Sequence, residues 1–343
     1  MKTGKTLTQL AVELDRQQSA KRDFVADSRK LSLSDDGQLL IDGQGALSMT
    51  SHCSNQVATH CDIPKKYWDK MPAELRATNA NHWLHKDPAK RMIRTLDGSA
   101  RAFLSDRYRA LDNYDLAEAV LPVLQETPDM QIVSSELTDK RMYIKALFPR
   151  IQGEVAKGDI VQSGVVISNS EIGSGSLRVE PLVFRLVCLN GMISNMATRK
   201  YHVGKASGIG ESAMEIFRPE TMAMTDKAFW MQVQDTVRAS VNQLGFDAIV
   251  AEMQRTKGMI MEVDPIEVVE RVQKHFTLQE SEKRGVLQHL LTGGDLTAYG
   301  LLNALTRHSQ DIEDYDRATD FERMGGQIIE LPQSQWKALA IAA

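Results

Sequence analysis

Apolar and polar positions alternate most clearly in the middle of the chain, within residues 158–204. Two runs rich in Val, Ile, Leu and Phe, 160–167 and 177–189, flank a segment of Ser, Asn and Gly. Such runs favour pleated, half-buried strands, and Gly and Asn adopt the positive φ values of tight reversals. The pattern predicts an antiparallel hairpin, followed by a turn at Asn190-Gly191. The end of its second strand is apolar on both faces, which is typical of a strand covered on both sides.

Two further strand patterns precede this hairpin. Residues 92–104 predict two strands joined at an Asp-Gly turn, and residues 131–148 predict a hairpin that turns at Thr138-Asp139. Together with the central pair, they predict one mainly antiparallel sheet of five or more strands. A helix is predicted between them from about Asn113, which either Asp112 or Asn113 itself could cap.

Two short helices are predicted ahead of these strands, over 50–60 and from Pro64 onward, since proline is favoured at the first helical position. Such a pair fits a helix-turn-helix, in which the second helix enters the major groove of DNA. It also fits two helices that simply pack together, because Tyr67, Trp68 and Met71 are needed for their contact. The sequence leaves both interpretations open.

Beyond Gly204 the apolar period changes from two to about 3.6 residues, the period of helices. Asp264-Pro265 is a helix start signal, and Gly293-Gly294 is a helix stop signal. The predicted fold class is α+β, a mainly antiparallel sheet with flanking helices followed by a largely helical C-terminal region. The predicted divisions are an N-terminal arm (1–45), an α+β body with the central antiparallel sheet (46–210) and an acidic helical region (211–343).

The composition is that of a soluble globular protein, with 42% apolar and 25% charged residues in 343. No run approaches the roughly 18 apolar residues of a membrane span, and the N-terminus lacks the pattern of a signal peptide. Three cysteines are few and odd in number, which suits thiols in a reducing cytoplasm. We therefore expect a cytoplasmic protein that does not contact membranes.

The charge is unevenly distributed. The net charge of -4 excludes a uniformly basic nucleic-acid binder. Up to Lys205, however, Lys and Arg exceed Asp and Glu by four, and beyond it they fall short by eight. The pattern fits two interpretations. Either the charges lie on solvated helix faces, or a mildly basic functional half is joined to an acidic half that covers it or binds a partner.

Five arginines lie between Arg91 and Arg109, where Tyr108 separates the last two. Single-stranded nucleic acid needs cations for its phosphates and aromatic faces for its bases. A second basic stretch follows the central hairpin. The alternative is a set of ion pairs with Asp97, Asp106 and Asp112 that only fixes a loop. The residues predicted to bind nucleic acid are Arg94, Arg101, Arg107, Tyr108, Arg109, Arg199, Lys200 and His202.

Neither a metal nor a cofactor is expected from the motifs. His52-Cys53 and His60-Cys61 offer four zinc-ligand types within ten residues, but adjacent residues on a helix point about 100° apart. Buried thiols beside surface histidines account for them better. The chain has no P-loop, no GxGxxG after a strand, no GxSxG and no HExxH, so an enzyme is the less favoured reading.

Several long phrases of the chain resemble the uncharacterised phage/plasmid-like protein family, a family of unknown function carried by prophages, plasmids and integrative elements. The phrases are RTLDGSARAFLSDRYRALDNYDL (94–116), GDIVQSGVVISNSEIGSGSLRVEPLVFRLVCLNGMI (158–193) and TAYGLLNALT (297–306). Residues 62–67 and 81–84 resemble its N-terminal part. No activity is established for the family. Its genes lie among mobile-element genes, including recombination genes, and this implies a function that involves DNA.

The function expected is therefore non-enzymatic DNA binding, with single-stranded DNA as the favoured partner. We expect the protein to bind or anneal single strands in recombination and to assemble as a homo-oligomer. A metal-dependent nuclease or other hydrolase is the first alternative, with Asp106, Asp112, Glu171 and Glu180 as its available carboxylates. A counter-defence protein that binds another protein is the second.

Overall fold

The computed structural model describes residues 1–196, 199–201 and 219–340, and gives the backbone alone for 199–201 and 219–223. It confirms the α+β class, with two largely antiparallel sheets followed by a helical C-terminal region. In the described part of the chain, no helix is both long and apolar enough to cross a membrane. The predicted division at 210/211 lies outside the described residues.

The first sheet combines the 92–104 pattern with strands from the N-terminal segment. Its order is β1-β5-β6-β4-β3-β2, antiparallel except where β4 runs parallel to β6. It therefore extends across the boundary predicted at 45/46. The strands are β1 (Phe24–Asp27), β2 (Leu31–Leu33), β3 (Leu39–Ile41), β4 (Gly45–Met49), β5 (Lys90–Leu96) and β6 (Ser99–Ser105).

The prediction of one continuous sheet is wrong. The outer edge of β5 is paired with β1, and the outer edge of β6 is paired with β4. Because both edges of this hairpin are occupied, it cannot extend the sheet that contains the central hairpin.

Three helices cover the first sheet: α2 (Ser51–His60), α3 (Lys65–Trp68) and α4 (Ala73–Lys86). Val57, Trp68 and Leu84 are buried against sheet residues that include Ile93. The second helix of the predicted pair is a single turn whose Trp68 is needed for this core. That geometry favours the packing interpretation over a recognition helix in a groove.

The second sheet is built on the central hairpin, in the order β11-β10-β9-β8-β7, with β12 also paired to β10. Both predicted hairpins, the central one and the one over 131–148, are confirmed. The strands are β7 (Gln131–Leu137), β8 (Met142–Ala156), β9 (Asp159–Asn169), β10 (Leu177–Arg185), β11 (Asn190–Ile193) and β12 (Arg199–Tyr201).

The turn predicted at Asn190-Gly191 is wrong, since both residues begin β11. Arg185 pairs with Asn190, so the reversal is made by the four residues 186–189. Leu189 there has a φ of 54°, in the left-handed region. The Asn190 side chain is buried and donates from Nδ2 to Oγ1 of Thr306 at 2.5 Å.

Helices cover the second sheet on both faces. One face packs on α1, α5 and α6 through Leu10, Leu116 and Val233, while Met192 and Val183 pack among the C-terminal helices. The predicted start at Asp264-Pro265 and stop at Gly294 are confirmed. The remaining helices are α1 (Leu7–Ala20), α5 (Asn113–Gln125), α6 (Pro219–Ser240), α7 (Gln243–Lys257), α8 (Pro265–Phe276), α9 (Glu280–Gly293), α10 (Ala298–His308), α11 (Tyr315–Ile329) and α12 (Gln333–Ala340).

Candidate functional site

The loop that joins β9 to β10, residues 170–176, is where the two sheets meet. Four of its main-chain carbonyls accept hydrogen bonds from side chains that belong to other segments, so the loop is fixed from several directions. The bonds run from Tyr108 Oη to Ser170 (3.0 Å), from Arg94 Nη1 to Glu171 (3.0 Å), from Gln56 Nε2 to Ile172 (2.9 Å) and from Arg141 Nη2 to Ser174 (2.7 Å).

Glu171 is the charged centre of this loop. Its carboxylate is 2.7 Å from Lys21 Nζ and 2.5 Å from Arg101 Nη2, and it accepts a hydrogen bond from the backbone amide of Asn113 at 2.7 Å. That amide opens α5, so the carboxylate also sits at the positive end of a helix. Burial alone raises the pKa of Glu171, but Arg101, Lys21 and the Asn113 amide outweigh it and lower the pKa to about 2.

Arg94 forms a second ion-pair cluster beside the first. Its side chain is fully buried, with Nε 2.7 Å from Asp23 and Nη2 2.5 Å from Asp112. Lys21 lies 3.4 Å from the same Asp112 and so links the two clusters. For Arg94, the structure therefore contains the ion pair with Asp112 that the sequence offered as the alternative to phosphate binding.

A polar cavity of about 410 Å³, called here the loop cavity, opens beside these clusters. It lies between α1, the β5–β6 turn, the 137–141 turn and Glu171–Ile172. Arg101 lines it, and its Nε is buried with no hydrogen-bond partner among the described residues. Lys140 and Arg141 also line it, and neither forms an ion pair with a described carboxylate. The cavity thus combines a buried guanidinium with two cations that have no carboxylate partner among the described residues, and Glu13, Asp97 and Asp139 also line it.

The 105–109 loop contacts the 170–176 loop through Tyr108. Arg107 is exposed, whereas Tyr108 is half-buried against Gly173 and its burial raises its pKa. Arg109 pairs with Asp226 and its guanidinium lies 4.6 Å from the ring centre of Phe229.

The backbone of the second predicted basic stretch pairs with the first residues of β10, which follow the 170–176 loop. Arg199 pairs in register with Val179 and Lys200 with Arg178, at the beginning of β10. The predicted residue His202 lies outside the described residues.

The four carboxylates considered for a metal-dependent nuclease do not converge. Asp112 and Glu171 share the ion-pair clusters described above, and both are neutralised by cations. Glu180 is buried elsewhere, 2.7 Å from Arg323 of α11. Asp106 is exposed in the 105–109 loop.

A family model described as Domain of unknown function (DUF932) matches residues 102–324, nearly two thirds of the chain. The chain belongs to the DUF932 family. Neither the curated proteins nor the solved structures contain a match.

The DUF932 match includes the 170–176 loop, Tyr108, Asp112 and Arg141, but it begins one residue after Arg101. Part of the loop cavity is therefore supplied by the segment that precedes the match. Lys21 and Asp23, which complete the two clusters, come from that segment and were not among the predicted site residues.

Sequence reasoning also missed Lys140 and Arg141. The signal that could have identified them is the Asp-Lys-Arg sequence at the tip of a predicted hairpin, where side chains project from a tight turn. Their proximity to Glu171 depends on the pairing of β8 with β9.

The histidines and cysteines of the 52–61 segment serve the fold. Cys53 and Cys61 are buried in the core of the first sheet, and burial raises their pKa values to about 12 and about 11. His52 bonds the Ile172 carbonyl at 2.9 Å, and His60 bonds Arg91 at 2.8 Å.

Proposed function

We propose that this DUF932 protein binds nucleic acid without cutting it, and that a phosphate of a single strand enters the loop cavity. The observation that supports this most is the buried Arg101 guanidinium, whose Nε has no partner in the described part of the chain, in a recess that Lys140 and Arg141 also line. A buried polar hydrogen without a partner costs free energy, so an acceptor is favoured there. Guanidinium groups match phosphate oxygens in geometry as well as charge.

Nucleic acid fits this recess better than a lone anion does. The loop cavity is large enough for a nucleotide, and its walls include Gln17, Asn113 and Asp139, whose polar groups suit the edges of a base. A single strand can turn one nucleotide into a recess, whereas a duplex keeps its bases stacked inside. These features support the preference for single-stranded DNA.

Binding without cleavage is favoured because Asp112 and Glu171, two of the carboxylates considered for a nuclease, are neutralised by cations. Two-metal nucleases need carboxylates that attract divalent ions. Asp112 and Glu171 instead each contact two cationic side chains. Arg94 then holds the loop from the interior, while the cations that line the loop cavity meet the strand.

The cellular role that we propose rests on the resemblance to phage/plasmid-like proteins. A protein of a mobile element that coats or anneals single strands during recombination acts in the cytoplasm and assembles along DNA as a homo-oligomer. The excess of Lys and Arg up to Lys205 is in keeping with this role.

The test is fluorescence anisotropy with labelled oligo(dT) at several salt concentrations, without divalent metal. We expect the wild type to bind with a negative salt slope, because each neutralised phosphate releases counterions. Lys140→Ala/Arg141→Ala should bind more weakly and should flatten the slope by about 0.7 per lost phosphate contact.

The matched control is Lys65→Ala/Lys66→Ala, which removes two exposed cations from α3, one of the helices that cover the first sheet. It should leave both affinity and slope unchanged. If this control weakens binding and Lys140→Ala/Arg141→Ala does not, the helix pair and not the loop cavity is the binding surface. If the wild type does not bind any oligonucleotide, the proposed function is wrong.

A further inference from the structure

Two histidines and a carboxylate converge far along the chain from the loop cavity. His289 belongs to α9, His308 is the last residue of α10, and Asp311 lies in the turn that follows. Their ligand atoms all lie within 4.8 Å of one another. Asp311 Oδ2 is 2.5 Å from His289 Nε2 and 3.8 Å from His308 Nδ1.

The His308 ring is held in place, but its Nδ1 atom makes no hydrogen bond to a described residue. The residue is 9% exposed, and Nδ1 is buried without a hydrogen-bond partner among the described residues. The ring lies edge-on to Phe321, 5.2 Å between centres, and fills the space left by Gly285, where a Cβ would collide with the imidazole. Buried polar nitrogens normally have a partner. The lone pair or proton of Nδ1 is therefore available to a ligand.

We propose that His289, His308 and Asp311 bind a divalent transition-metal ion of the Zn²⁺ class. Zinc takes imidazole nitrogen and carboxylate oxygen at about 2.0–2.2 Å, which in a tetrahedron places ligand atoms about 3.4 Å apart. The two distances to Asp311 lie on either side of that value, and all three ligand atoms lie within 4.8 Å of one another, so shifts of about 1–1.5 Å complete the geometry. Mg²⁺ and Ca²⁺ prefer all-oxygen sites, which the two imidazoles do not provide.

The surroundings of Asp311 suit this role. Its other oxygen, Oδ1, is 3.2 Å from Arg307 Nη1, the kind of outer contact that orients a ligating carboxylate. Three protein ligands leave a fourth position for water, and Asp311 lies at the surface, where an ion can enter. Since the ligands join α9 to the end of α10, the bound ion ties the two helices together.

The test uses metal-free full-length protein, titrated with Zn²⁺ by calorimetry and with Co²⁺ by visible absorption. We expect one ion per chain, Co²⁺ bands typical of a four-coordinate site, and a melting temperature several degrees higher with Zn²⁺. His289→Ala and Asp311→Asn should each weaken Zn²⁺ binding more than tenfold. Asp311→Asn preserves the shape of a surface residue, so it keeps the test valid if a histidine variant does not fold.

The control is His275→Ala, which removes an exposed histidine from α8 and should leave Zn²⁺ affinity unchanged. Zn²⁺ affinity in folded Asp311→Asn equal to that of the wild type would overturn the proposal. So would a wild type that neither binds Zn²⁺ nor gains thermal stability from it. Loss of DNA binding in the Lys140 and Arg141 variants is a separate result and does not bear on this site.

Discussion

Glu171 shows how a single buried carboxylate can organise a junction between two sheets. Its negative charge is matched by Lys21 from the end of α1, by Arg101 from β6 and by the first amide of α5. Removing one partner of a buried ion pair costs more than the pair contributes, because the remaining charge is left without compensation. The loop that contains Glu171 should therefore depend on the charge of this side chain.

The first prediction at this scale concerns Glu171→Gln. The folded pKa of Glu171 is about 2, well below its ordinary value of 4.5, so its stabilisation is present above pH 4.5 and is lost as the pH falls towards 2. At pH 7 we expect Glu171→Gln to lower the free energy of unfolding by about 3 kcal/mol. Urea unfolding at pH 7 and near pH 3 should show that the difference from wild type shrinks at the lower pH.

Glu126→Gln is the control for this experiment, because Glu126 pairs with Arg238 on the exposed surface. Its effect on unfolding should be small at both pH values. An equal loss of stability for Glu171→Gln at pH 7 and at pH 3 would show that the carboxylate charge is not what holds the loop.

The residues of the site were only partly predictable. The density of arginines between Arg91 and Arg109 was visible in the sequence, but their partners were not. Arg94 bonds Asp23, which lies 71 residues earlier, and Arg101 pairs with Glu171 in the loop that joins two strands of the other sheet. Such pairs depend on how distant strands are placed, which local periodicity does not encode.

At the scale of elements, α11 packs unusually close to the second sheet. A Cβ at Gly326 would overlap the main-chain carbonyl of Ile193 in β11. A carbonyl in a strand cannot move aside without disturbing the ladder, so the helix itself would have to shift.

We therefore predict that Gly326→Ala lowers the free energy of unfolding by about 1–3 kcal/mol, as overpacking does elsewhere, although alanine is the better helix former. Chemical denaturation measures the change. Gly293→Ala, where no atom lies within 4 Å of the added Cβ, should be neutral or slightly stabilising. A neutral Gly326→Ala would mean that α11 does not approach β11 this closely.

Hairpins and helix ends, which depend on residues close together in the sequence, were predicted well. The arrangement of strands that pair across long sequence distances was not. The two hairpins follow from alternation, and the Asp264 and Gly294 caps follow from side-chain and backbone preferences. The separation into two sheets depends on strands from 24–49 that occupy both edges of the β5–β6 hairpin. Asn190-Gly191 has the composition of a turn, but a buried bond to Thr306 keeps Asn190 in a strand.

At the scale of the whole molecule, the acidic C-terminal helices are not merely a solvated surface. Glu322 of α11 pairs with Lys145 of β8, and both side chains are fully buried. Arg323 next to it pairs with the buried Glu180 of β10. The helical region is therefore joined to the second sheet by charge as well as by its apolar core, and the loop cavity lies in the more basic part of the chain.

Hydrogen exchange of the wild type with and without oligo(dT) tests most directly whether the loop cavity binds nucleic acid. The cavity walls include the turns at 97–99 and 138–141. The amides of Thr138, Lys140 and Arg141 are hydrogen-bonded within their turn, so they exchange by local opening, which a bound strand suppresses. We predict that the oligonucleotide slows exchange in these two turns and leaves the helices at 51–86 unchanged. Slower exchange confined to 51–86, or no change in either turn while the oligonucleotide is bound, would contradict the assignment of the loop cavity as the binding site.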